Sequence, residues 1–218
     1  MNLARRAVYD LYGKLPDSRR IDIRYSGRFR ELNSNVTYTS REVIFNLSKK
    51  WLEFSEELRI GLIQSLAVRV YRLEGESFEM DLYDKFISNL PKFAKVDKSD
   101  DVLEDSFLRI NEKYFDNNLT RPNLVWGQNA FTKLGHYEHQ TDTVLISNIF
   151  KENIELLDYI MFHELLHKKH GLKKSKNGRS IHHSRAFRLD EKRYEDVDVE
   201  KKLRSFVRKK RVKNWFGF

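Results

Sequence analysis

Cysteine is absent from the 218 residues. That excludes a disulfide framework and a thiolate metal site, so any metal this chain holds must be ligated by His, Asp or Glu. Long apolar runs are absent as well. No stretch approaches the roughly 20 apolar residues of a membrane span, and the opening MNLARRAVYDLYGKL lacks the unbroken apolar core of a signal peptide. The expectation is a cytoplasmic protein. Negative charge is scarce in one region: between Lys168 and Lys213 there are 18 Lys and Arg against 6 Asp and Glu, a local net charge of +12 in a chain of net +9. A positive field of that kind points to a polyanionic partner, most often nucleic acid, against the blander reading of a solvated lysine surface.

What is present suffices for a core, with 40% hydrophobic and 13% aromatic residues. The segment NIELLDYIMFHELLHKKH carries apolar residues at Ile154, Leu157, Ile160, Met161 and Leu165, a helical spacing, and Gly171 stands where the helix should stop. Upstream, TVLISN reads as a buried strand, NLVWGQNAFTKLGHYEH as one or two more, and DVLEDSFLRINEKYFD as an amphipathic helix. Downstream, GLKKSKNGRSIHHS is a polar loop. A short helix follows near RAFRLDEKRYE and another at DVEKKLRSFVRKK, with Leu203, Phe206 and Val207 as its apolar stripe. A boundary is expected in PKFAKVDKSDD, giving domains at 1–98 and 99–198 and a basic tail at 199–218. The fold class is α+β.

The first hundred residues repeat the pattern of the second. VYDLYGKLP precedes IDIRYSG as INEKYFDNNLTRP precedes NLVWGQN, REVIFN matches DTVLIS, and GLIQSLAVRVY matches IMFHELLHKKH. Under that alignment Gln64, Ser65 and Val68 stand at the places of His163, Glu164 and His167. The N-terminal domain would then be a degenerate copy without metal ligands, able to cover or shape the cleft of the other.

The chemistry concentrates in FHELLHKKHG. On a helix, His163 and His167 share a face and can offer two imidazole nitrogens to one ion, while Glu164 lies about 100° round from His163, in reach of a metal-bound water. A catalytic zinc takes three protein ligands and keeps one position open. The metzincin continuation is excluded, because His170 and Lys173 occupy the positions where it needs Gly and His. Glu191 and Glu195 are candidate carboxylate ligands from a later helix, and HHSRAF offers a histidine.

Here the sequence resembles the SprT-like (Spartan-like) metallopeptidases and the related YgjP-like group. In these, HExxH is followed after a loop by a histidine before a small residue and, three residues on, an aromatic, as in His183, Ser184 and Phe187. His182 would be misregistered by one. The stretch with Trp126 and Leu134-Gly135-x-Tyr137 is similar too, and the resemblance covers roughly residues 102 to 198. It leaves unexplained the first half and the Lys-rich insertion, and the chain lacks the cysteine-rich zinc ribbon of some members. The resemblance implies a zincin-like domain holding one Zn2+ on His163, His167 and His183. Water on that zinc would have its pKa lowered towards about 7, and Glu164 would act as its base and then as acid to the leaving amine. His136 or Tyr137 could supply the second donor to the oxyanion. His139 and His170 read as exposed, the latter able to crowd the site, and Trp126 and Phe131 as core.

The ending KKRVKNWFGF carries aromatics that are not expected to pack as a terminal helix. The spacing of Lys209, Val212, Trp215 and Phe216 resembles the sliding-clamp-binding motif of proteins that dock on PCNA, with Lys209 where the motif has Gln. The alternative is an aromatic tail that packs on its own domain or stacks on single-stranded nucleic acid. Lys173, Lys174, Lys176 and Arg179 could line a phosphate-binding loop. The leading expectation is therefore a zinc endopeptidase acting on DNA-associated or DNA-crosslinked proteins, nucleoid-associated if DNA is bound. The alternatives are a zinc-stabilised DNA- or clamp-binding adaptor without protease activity, and a zinc hydrolase with a non-protein substrate.

Overall fold

The computed structural model describes residues 1–173 and 181–216, the side chains of 214–216 excepted. Lys174, Lys176 and Arg179 of the expected phosphate loop, and the side chains of Trp215 and Phe216, lie outside the described residues. The described residues divide into two compact units, the first Met1–Asn89, the second Leu90–Leu172 continued from His182. Among the described residues no helix is long and apolar enough to cross a membrane.

The first unit runs α1 (Leu3–Tyr12), β1 (Arg20–Ser26), β2 (Ser34–Tyr38), β3 (Glu42–Ser48), a 3-10 turn at Lys49–Glu53, α2 (Glu56–Tyr71) and α3 (Phe78–Phe93). The second runs α4 (Asp101–Phe115), β4 (Asn123–Gly127), β5 (Gly135–Glu138), β6 (Thr143–Ser147), a 3-10 turn at Asn148–Phe150, α5 (Ile154–His170), α6 (Arg185–Glu191) and α7 (Val199–Phe216). Both are α+β, each a three-stranded sheet with helices on it. The break at residue 89 precedes the charged stretch that suggested residue 98, because Asn123 on β4 binds that stretch. Its side chain accepts from the backbone N–H groups of Asp97 and Lys98 and donates to the Lys95 carbonyl, at 2.9 Å each.

The two sheets have the same topology. Their orders are β1-β3-β2 and β4-β6-β5, with the first strand parallel and the last antiparallel to the central one. Registers correspond: Val43 pairs with Ile21 and Tyr38, as Val144 pairs with Leu124 and Tyr137. Helix ends correspond too. α1 stops at Gly13 and α4 at Asp116, both in the left-handed region where a short polar or absent side chain is tolerated. α2 starts at Ser55 and α5 at Asn153, each accepting a hydrogen bond from the backbone N–H three residues on. The last helices sit alike: Phe86 of α3 packs on Trp51 of its 3-10 turn, and Phe206 of α7 stacks on Phe150 of its own.

Counting from these N-caps corrects the sequence alignment by one residue. His163, Glu164 and His167 correspond to Ser65, Leu66 and Arg69, and Gln64 corresponds to Phe162. Contacts agree with the shift. Gln64 donates to the Ala7 carbonyl on α1 (3.1 Å), and Phe162 packs on Tyr114 and Phe115 of α4. The sequence could not place this slip, since both helices are apolar at either register.

α7 departs from expectation, because its backbone stays helical to Phe216. Its sequence holds no Pro and no Gly before Gly217, and its Lys and Arg residues are good helix formers. Leu203, Phe206 and Val207 pack against the second unit's core as their spacing implied. Val212 is half exposed.

Candidate metal centre

α5 is the spine of the second unit. Leu157, Met161 and Leu165 are fully buried and Phe162 and Leu166 nearly so, leaving one open face that carries His163 and His167. Gly171, at a φ of 60°, ends the helix immediately after His170. The chain returns at His183, just before α6. Ser184 caps α6 by accepting from the Phe187 backbone N–H (3.3 Å), which puts Phe187 in the first helical turn beneath the histidines. That ring is fully buried, with centroids 5.4, 4.7 and 4.7 Å from His163, His167 and His183. The His-Ser-x-x-Phe pattern is thus a helix cap that brings His183 to the other two histidines and supplies the ring it rests on.

His163, His167 and His183 form a nearly equilateral triangle, with ring centroids 5.0, 5.2 and 5.0 Å apart. One ligand atom from each lies within 4.8 Å of the others, and the Nε2 atoms of His167 and His183 are 3.3 Å apart. Three imidazoles converging on one point, with no carboxylate among them, suit a borderline-soft ion such as zinc. His182 and Glu195 lie outside the cluster. Burial and the neighbouring imidazoles pull His167 down to about 3, and burial lowers His183. Both therefore present neutral rings, the form that ligates.

Glu191, an alternative ligand from sequence, does something else. Its Oε1 is 2.7 Å from Nδ1 of His163, which turns the other ring nitrogen toward the shared point. Burial pulls His163 down, but the Glu191 hydrogen bond and nearby carboxylates outweigh it and raise its pKa, while the same bond lowers that of Glu191. A carboxylate on the far nitrogen of a metal-binding histidine fixes ring orientation and raises basicity. Glu191→Gln should weaken zinc binding about 10- to 100-fold with the fold intact, read by competition with a chromophoric chelator.

Glu164 is buried, and burial raises its pKa despite nearby His163 and His136 and a hydrogen bond from the Tyr137 backbone. It fits only because residue 135 is glycine: a Cβ there would overlap the Glu164 carboxylate and press on Ile160. Of the two candidate oxyanion donors, Tyr137 is committed elsewhere. Its buried hydroxyl donates to Asp142 (2.7 Å), whose carboxylate also takes Lys168 at 2.5 and 2.6 Å, tying β5 to α5. His136 remains half exposed, 3.5 Å from Glu138, and close enough to influence Glu164. His170 is not exposed as expected, because α6 brings Asp190 to within 3.0 Å of its Nε2. His139 is half-buried, and Trp126 and Phe131 flank the core rather than fill it.

A cleft of about 460 Å³ opens beside His163 and Glu164, walled by Leu134 and Gly135, by Tyr159 and Ile160 of α5, and by Glu200, Leu203 and Arg204 of α7. A second, more polar pocket of about 580 Å³ gathers Lys151, Lys210 and Lys213 with Asn129, Asn148 and Glu152.

No protein-family model and no curated protein matches this chain. Among solved structures, the metallopeptidase zymogen jannalysin of Methanocaldococcus jannaschii is similar, at 21% identity and a TM-score of 0.36 over 53% of this chain and 94% of that one. A TM-score of 0.36 does not define a shared fold, and the functional reading rests on the residues of this chain.

Proposed function

We propose that the protein is a zinc-dependent endopeptidase of the SprT-like type whose substrates are proteins on DNA. The observation that carries this is the convergence of His163, His167 and His183 beside a buried glutamate, Glu164. A bound zinc supplies Lewis acidity towards a water and a carbonyl. The chain's residues do the rest. Glu164 accepts a proton as the water oxygen adds to the carbonyl carbon, then delivers it to the amide nitrogen as the C–N bond breaks, a double role suited to a carboxyl of raised pKa. His136 stands by for the oxyanion. A peptide substrate is favoured over a small molecule by β5, an edge strand beside the site on which an extended chain can add.

The first unit is, in this reading, a copy that lost its ligands, since Ser65, Leu66 and Arg69 stand where the metal site would be. The DNA context draws support from charge. On α7, Arg208, Lys209 and Lys213 have no carboxylate partner among the described residues, and Lys213 shares the polar pocket with Lys151 and Lys210. The experiment compares cleavage of a protein crosslinked to DNA with cleavage of the same protein free. The proposal expects at least a roughly tenfold preference for the crosslinked form that collapses between 50 and 200 mM salt, as counterion release dictates for about six phosphate contacts. Equal cleavage of both forms removes the DNA context, and cleavage of neither removes the peptidase.

A further inference from the structure

The two units share a sheet topology, and besides α6, which the described residues of the first unit lack, they differ where the last helix crosses the long one. In the first unit α2 carries Gly61, six residues after its cap, and α3 lies so close that a Cβ there would run into the backbone of Glu79 and the side chain of Tyr83. At that point the two helices touch. In the second unit the residue six after the cap is Tyr159, whose side chain lines the space beside α7 and meets Tyr194 edge-on. That space is the cleft beside Glu164. Its lining is mostly apolar, with Ile160 and Leu134 on one side and Leu203 on the other, and the Glu200–Arg204 pair (3.6 Å) sits on its α7 wall.

We infer that this cleft is a side-chain subsite of the peptidase, taking one large aliphatic or aromatic residue adjacent to the scissile bond, with Leu203 as its specificity-determining residue. The inference rests on the peptidase reading. Between Leu134, Ile160 and Leu203 the exposed lining is mostly apolar, where a polar side chain would lose its water without gaining a partner, while the Glu200–Arg204 pair satisfies itself at the α7 wall. A cleft of about 460 Å³ is within the range that encloses a bulky group. Its contact with His163 and Glu164 places the held residue next to the reacting bond. The direct contact at Gly61 shows that this architecture can bring the two helices together at the equivalent point.

The test uses zinc-loaded full-length protein and a peptide library with one randomised position on each side of a fixed bond. Wild type should favour Leu, Met or Phe over Gly at one flanking position by about 10-fold or more, the scale of apolar-pocket discrimination. Leu203→Trp, which fills the cleft, should transfer the preference to Gly and Ala. Leu203→Ala, which enlarges it, should extend the preference to Trp and serves if the first variant does not fold. Binding of Phe- and Gly-bearing peptides to Glu164→Gln protein, by fluorescence anisotropy, should show the same ratio and lose it with Leu203→Trp. A wild-type profile unmoved by the folded Leu203 variants overturns the subsite alone. No cleavage of any peptide by zinc-loaded wild type overturns the peptidase and the subsite with it.

Discussion

Glu164→Gln is expected to lower kcat/KM for peptide hydrolysis by about 10²- to 10⁴-fold, the contribution of a positioned general base, while one zinc per chain is retained. The two side chains are isosteric. The amide oxygen can still accept from the Tyr137 backbone, which holds the carboxylate now, and the space left by Gly135 accommodates either group. What the amide cannot do is take a proton from water. The three histidines are untouched, so metal analysis on the same sample separates lost chemistry from a lost site. A fall in zinc parallel to the fall in rate would assign Glu164 to the architecture of the centre rather than to proton transfer.

The second large effect is structural. Asp142→Asn should cost about 3–5 kcal/mol, the penalty for leaving one member of a buried ion pair alone, measured by urea denaturation. The side chains of Lys168 and Asp142 are only 9% and 4% exposed, so solvent cannot take over as partner. Asn is the sharper probe than Ala because residue 142 has a φ of 44°, which Asn tolerates. The charge is then the main loss. Adding Lys168→Met should recover much of the cost, since an apolar replacement of the whole pair is often near neutral. The pair joins the turn after β5 to the last part of α5. Its loss should therefore loosen the strand that contacts Glu164 and lower activity at temperatures where the chain is still folded. A variant of unchanged stability would mean the pair is solvated in solution.

The parts of the site that sequence made legible are those whose chemistry fixes both residue type and spacing. His163, Glu164 and His167 had to lie on adjacent turns of one helix face, whereas His183, Ser184 and Phe187 were legible through the family resemblance, and only the structure shows Ser184 as the cap that orders Phe187. Residues that act through a neighbour left weaker traces. Glu191 stood out as an acid on the helix after the loop, but whether it meets the metal or the back of His163 depends on how α6 packs. Gly135 needs the distance between β5 and α5, and Lys168 with Asp142 needs a contact across 26 residues. In the fold, the repeated strand pattern was visible, whereas the one-residue helix slip appeared only through the caps and the contact of Gln64 with α1. The tail is helical because a run of good helix formers outweighs the fraying expected at a terminus.

The most direct test of the central claim is the anomalous signal at the zinc edge from crystals of the protein grown with stoichiometric zinc. The account predicts a single peak bonded to one nitrogen each of His163, His167 and His183 at about 2.0–2.1 Å, with the carboxylate of Glu191 on the opposite nitrogen of His163. No peak between the three rings, or a zinc held elsewhere on the chain, would contradict it.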